Sequence, residues 1–163
     1  MTKPLSFSAC LHPYFKFKNT KNISLRGLNN LEYIDKVDGR KKKVENLKYF
    51  KIEEASTSSG EVKEGNVLGY IDRIYSSPTT HTLVLIDNND DRDEVLVFEK
   101  SIEWPDYVIF NPWIEGKKDS KGPDFDNDGY RYMLCVEPAI GVNNITLKKN
   151  ESWNSKYKIT IVN

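Results

Sequence analysis

Thr82-Leu83-Val84-Leu85-Ile86, Asp87-Asn88-Asn89-Asp90-Asp91-Arg92-Asp93-Glu94 and Val95-Leu96-Val97-Phe98 follow one another without a break. Two short, β-branched apolar runs thus flank a connector of Asp and Asn, side chains that suit tight turns. The stretch reads as a β-hairpin with an acidic tip. The same grammar recurs outward from it in Phe7–Phe17, Ile23–Leu28, Val44–Ile52, Val67–Tyr75, Tyr107–Phe110, Tyr130–Val136 and Tyr157–Val162. Each run is bounded by turn signals, and none carries a helical period long enough to compete. The expectation is an all-β protein, a β-sandwich formed by a single domain over 1–163.

Composition agrees. Of 163 residues, 38% are apolar and 12% aromatic, enough for a buried core without disulfide staples. Lys plus Arg is 24 and Asp plus Glu is 24, so no net charge steers the chain to nucleic acid or to an anionic membrane. No window is long and apolar enough to span a bilayer, and Met1–Phe17 lacks the apolar segment of a signal peptide. The chain reads as cytoplasmic, with Cys10 and Cys135 as reduced thiols. The run Arg40-Lys41-Lys42-Lys43, beside Asp35, Asp38 and Glu45, reads as a solvated turn, and 55–65 as a flexible Ser/Gly-rich loop.

Metal chemistry finds little support in linear spacing. Asp124-Phe125-Asp126-Asn127-Asp128-Gly129 places acidic residues as a calcium loop would, but its twelfth position is Cys135 rather than Glu, ahead of a strand. An acidic turn, or a loop in which Asp124 orients a sugar hydroxyl, is the better reading. With only two histidines, no zinc ligand set is recognisable, and no metal site is expected. His81 precedes a strand as an ordinary loop residue. His12, inside Cys10-Leu11-His12-Pro13-Tyr14-Phe15, is either a structural histidine or a proton shuttle.

Five short motifs in order resemble a family. They are Leu11-His12-Pro13-Tyr14-Phe15; Leu25-Arg26-Gly27-Leu28 with Tyr33 and Asp35; Asp72-Arg73-Ile74-Tyr75; Asn111-Pro112-Trp113; and Met133-Leu134-Cys135-Val136-Glu137-Pro138. Together they are similar to the hexose-6-phosphate mutarotases, or glucose-6-phosphate 1-epimerases, of the galactose mutarotase-like superfamily. The resemblance implies a β-supersandwich, a hexose or hexose 6-phosphate substrate, anomerase activity without a cofactor, His12 and Glu137 as the catalytic pair, and Asp72 as a substrate-binding residue. Asp124 is a looser match.

Elementary chemistry fits the pairing. Ring opening needs a base for the anomeric hydroxyl and an acid for the ring oxygen, which makes Glu137 the base and His12 the acid. Alternation puts Met133, Cys135 and Glu137 on one strand face, and the same reasoning places Cys10 and Cys135 near the cleft. The bland alternative for Glu137 is a strand-end carboxylate facing water. Tyr14, Tyr75 and Trp113 are candidates to stack on a pyranose, although large aromatics, Trp113 above all, more often pack in cores.

The chain departs from the pattern at Phe110, where the family carries Trp, and at Asn150, where it carries Gly. It resembles only the C-terminal half of a mutarotase; the half that supplies phosphate-holding cations has no counterpart. A complementing N-terminal half, or a homo-oligomer covering an exposed edge or apolar patch, is therefore expected. The alternative is a non-catalytic carbohydrate-binding or partner-binding β-sandwich.

Overall fold

Alternation of apolar and polar residues makes one face of each strand a buried face, and two sheets meet on those faces. The computed structural model describes residues 3–53, 67–77, 79–88, 94–113 and 128–162. The strands are β1 (Leu5–Cys10), β2 (Tyr14–Lys16), β3 (Ile23–Arg26), β4 (Glu32–Asp35), β5 (Lys41–Val44), β6 (Phe50–Glu53), β7 (Val67–Leu68), β8 (Ile71–Ser76), β9 (Thr82–Asp87), β10 (Glu94–Lys100), β11 (Asp106–Asn111), β12 (Met133–Leu147) and β13 (Tyr157–Val162). One sheet runs β1-β12-β11-β8-β4-β5 with β2 also on β12, and the other runs β13-β10-β9-β3-β6-β7. The protein is an all-β sandwich.

Ile71, Tyr75, Tyr107, Ile109, Leu134 and Val136 from the first sheet meet Leu25, Leu83, Leu85 and Phe98 from the second in one core. Phe98 lies edge-on to Phe15 at 5.0 Å and stacks with Tyr157 at 6.4 Å. The expected hairpin is present: β9 and β10 pair antiparallel from Asp87↔Glu94 to Thr82↔Glu99. Its tip, the 55–65 loop and Asp124 lie outside the described residues.

Three expectations are corrected. The run from Lys41 to Lys43 is not a turn but part of the edge strand β5, paired with β4 from Asp35↔Lys41 to Glu32↔Val44. Lys43 Nζ bridges Asp35 and Asp38 at 2.8 Å each, so the strand is held by cross-strand charge rather than by apolar alternation, and lysines guard its outer edge. Phe7–Phe17 is two strands, because Pro13 has no N–H to donate and pairing lapses between β1 and β2. Tyr130–Tyr132 belongs to a 3-10 turn (Gly129–Tyr132), and the strand after it runs on to Leu147.

Several motif residues prove to be architectural. Gly27 has φ +102°, and a Cβ there would stand 2.9 Å from both Leu83 Cδ2 and the carbonyl oxygen of Thr82, so only glycine fits. Asn111 donates to the carbonyls of Tyr130 and Met133 and accepts from the Trp113 N–H, stitching the 3-10 turn to β11. Between Phe7↔Ile145 and Ala9↔Ile140 the β1–β12 register jumps. Buried Asp106 holds the extra residues of β12 there, accepting from the Gly141 and Val142 N–H groups at 2.8 and 2.9 Å. The last strand, β13, is a sheet edge with Ile159 and Ile161 exposed.

Candidate active site

Residues that alternate with the core residues of the first sheet necessarily point to its other face. There Asp72 and Ile74 of β8, Val108 and Phe110 of β11, and Glu137, Ala139 and Ile140 of β12 floor a cleft of about 460 Å³. Ser8, Ala9 and Cys10 of β1, with His12 and Lys36, complete its walls. The site therefore lies on the sheet face opposite the sandwich core, and strand pairing sets its geometry. Cys10 faces Ala139 and Tyr14 faces Cys135, so the intervening His12 stands opposite Glu137 as a cross-strand pair would. The Leu11 N–H, bonded to the carbonyl oxygen of Pro138, keeps this short arm in register.

His12 Nε2 lies 3.3 Å from Glu137 Oε1. The histidine side chain is 45% exposed and the glutamate 3%, so one partner opens to the cleft and the other is sealed beneath it. The contact is an ion pair only when the imidazole is protonated; it lacks hydrogen-bond alignment, and Oε1 has no hydrogen-bond partner among the described residues. Oε2 accepts from the Cys10 thiol at 2.8 Å. Tyr14 stacks on the imidazole with centroids 4.8 Å apart, and Phe110 meets it edge-on at 5.6 Å. These two rings fix the imidazole plane.

Burial pushes the pKa of Glu137 above the usual carboxylate range. The Cys10 hydrogen bond and the positive charges of His12 and Lys36 pull it down, while the charge of Asp72 adds to the rise. Cys10 is an exposed residue whose thiol is turned onto Glu137; partial burial and that carboxylate push the thiol well up, so it remains a donor. Burial does the same to Cys135. Asp72 is ion-paired to Lys36, the one lysine of the cleft among the described residues.

The structure thus brings together His12, Glu137 and Asp72, with Tyr14 against the histidine. Trp113 is in the core against Tyr130, and Tyr75 is fully buried, bonded to Glu45 beside Arg73. Neither lines the cleft. Both cysteines are free. They stand four residues apart along the β12 register, about 13 Å at strand spacing, too far for a disulfide. Sequence reading did not single out Lys36 as a wall residue; its only signal is its place directly after Asp35 at the end of β4.

The aldose 1-epimerase family model matches residues 1–160. The chain belongs to that family. It is 29% identical over 162 residues to a glucose-6-phosphate 1-epimerase candidate from Cenchrus ciliaris, covering 98% of this chain and 42% of that protein. Among solved structures, a mutarotase candidate from Salmonella typhimurium (YeaD) superposes with TM-score 0.73 at 19% identity, over 98% of this chain and 47% of that one. An aldose 1-epimerase candidate from Escherichia coli K12 gives TM-score 0.60 at 14% identity, over 98% and 51%. These structures share the mutarotase-like β-sandwich. The chain spans about half the length of the relatives it matches.

Proposed function

We propose that the cleft interconverts the α and β anomers of a hexose or hexose 6-phosphate. The observation that carries this reading is the convergence of a buried carboxylate and an open imidazole, 3.3 Å apart, on one side of a cleft of sugar size. In a pyranose the anomeric oxygen and the ring oxygen share one carbon, so an acid and a base acting on both must be neighbours, each within hydrogen-bond reach of its own oxygen.

Glu137 takes the proton of the anomeric hydroxyl as the C1–O5 bond breaks, and His12 donates a proton to O5. The product is the open-chain aldehyde. Rotation about C1–C2 presents the other face of the carbonyl, and the reverse transfers close the ring. Atoms and electrons balance with two proton-transfer groups alone. Burial strengthens Glu137 as a base; Tyr14 and Phe110 hold the imidazole in place; Asp72, with one buried oxygen lacking a hydrogen-bond partner among the described residues, offers an acceptor to a sugar hydroxyl.

Recognition of a 6-phosphate would call on cations beyond the walls described, since Lys36 is already engaged by Asp72. A complementing chain segment or a second copy would be their source. Exchange spectroscopy between α and β anomers tests the proposal: wild type should exchange, and His12→Ala and Glu137→Gln should not. Robust exchange surviving both substitutions would overturn the assignment.

A further inference from the structure

Beneath the cleft, His12, Cys135 and Glu137 present one imidazole nitrogen, one sulfur and one carboxylate oxygen, all within 4.8 Å of one another. We infer that these three side chains form a binding site for a thiophilic divalent cation of the zinc type, and that its occupation silences the cleft. The site stands on the ligand atoms alone; the silencing rests on the acid–base role proposed above.

A tetrahedral zinc ion with bonds of about 2.0–2.3 Å needs ligand atoms roughly 3.3–3.7 Å apart, so the widest of these separations, at most 4.8 Å, has to close by about 1.1–1.5 Å. His12 Nε2 and Glu137 Oε1, at 3.3 Å, are already at that separation. Independently, Oε1 is a buried carboxylate oxygen without a hydrogen-bond partner among the described residues, on a side chain only 3% exposed, and it faces the imidazole. Such an atom is costly to leave bare, and a cation would satisfy it. The donor set excludes the hard cations: calcium asks for six to eight oxygens, whereas nitrogen, sulfur and one oxygen suit zinc, cadmium or cobalt(II). The half-exposed imidazole, on the wall of the cleft, provides the way in. On binding, the Cys135 thiol gives its proton to solvent and becomes the thiolate ligand.

Linear spacing conceals this set. His12 lies far from Cys135 and Glu137 in sequence, and the three meet only because β2 and the arm before it lie on β12. Cys10, whose thiol is committed to Glu137 Oε2, is not needed as a ligand.

Cobalt(II) alone is the probe, titrated into the reduced full chain. The expected result is a thiolate-to-cobalt charge-transfer band with tetrahedral d–d bands, saturating at one equivalent and erased by zinc. Cys135→Ser should lose the charge-transfer band, while Cys10→Ser should keep it. Because Cys135 is buried, His12→Ala provides a second readout on an exposed side chain: cobalt affinity should fall by at least about tenfold. No band in wild type, a band that survives Cys135→Ser, or unchanged affinity in His12→Ala would each overturn the site. Zinc should also stop anomer exchange, and a chelator should restore it. A saturable cobalt band with undiminished exchange would overturn the silencing and the catalytic pairing while leaving the metal site standing.

Discussion

Replacing Cys10 by alanine removes the one hydrogen bond that Glu137 Oε2 receives from the β1 arm, the 2.8 Å contact from Sγ. Hydrogen bonds to charged groups contribute about 1.5–3 kcal/mol, and a thiol is a weak donor, so about 1.5 kcal/mol is the reasonable figure. This stabilisation is greater for the ionised form, the stronger acceptor, so that figure is an upper bound on the differential effect. Its loss makes the carboxylate harder to ionise by up to about one pH unit, at 1.36 kcal/mol per unit. Burial already raises Glu137, and Cys10→Ala should raise it further. The acid limb of kcat/KM for anomer exchange, followed by exchange spectroscopy on an aldose, should therefore move up by up to about one pH unit. The plateau above it should change little. Cys10→Ser, whose hydroxyl donates from the same place, should leave the limb near wild type. An unmoved limb in Cys10→Ala, or equal shifts in the alanine and serine variants, would show that Glu137 is not the titrating base or that Cys10 does not support it.

Other outcomes follow from the same geometry. His12→Ala or Glu137→Gln should slow exchange by about 10²–10⁴-fold, the usual worth of one positioned acid or base, as read from anomer line shapes. Glu137→Gln should also stabilise the fold near neutral pH. A carboxyl whose folded pKa lies above its unfolded value costs stability as pH rises through that interval, so the gain should be absent below the ordinary carboxylate range and complete above the raised value. Urea midpoints for both proteins across that interval would check the sign. Phe98→Ala, at a side chain with no exposed surface, should cost about 3–5 kcal/mol and lower Tm by roughly 6–20 °C in a thermal melt.

What the sequence displays depends on which force holds each element. β9, β10 and β13 are legible because their apolar residues recur between turn signals. β5 is hidden: its lysines carry no apolar period and gain their conformation from β4 and from Asp35 and Asp38. Glu45 is equally opaque, a charged residue in a polar stretch that turns out to be buried, taking Arg73 and the Tyr75 hydroxyl at 3.0 and 2.8 Å. At the cleft, alternation put Cys135 and Glu137 on one face, and the family resemblance of Leu11–Phe15 singled out His12. That these residues stand opposite one another is a property of strand register across the chain, which a single sequence does not show. Trp113 and Asn111 sit in an equally distinctive motif, yet their work is packing and stitching.

The pairing of the β1–β2 arm with β12 also bears on how the molecule is made. Cys10↔Ala139 and Tyr14↔Cys135 close a loop that takes in most of the chain, and such distant contacts come late because the entropy of closure must be met before they reward it. During synthesis the arm bearing His12 leaves the ribosome long before Glu137 exists. It has no β12 to pair with until most of the chain has been made, and an unpaired edge of that kind is open to association. His12–Glu137 proximity thus reports the docking of the arm on β12, and chains in which β12 has not docked should retain the β9–β10 hairpin while lacking the cleft.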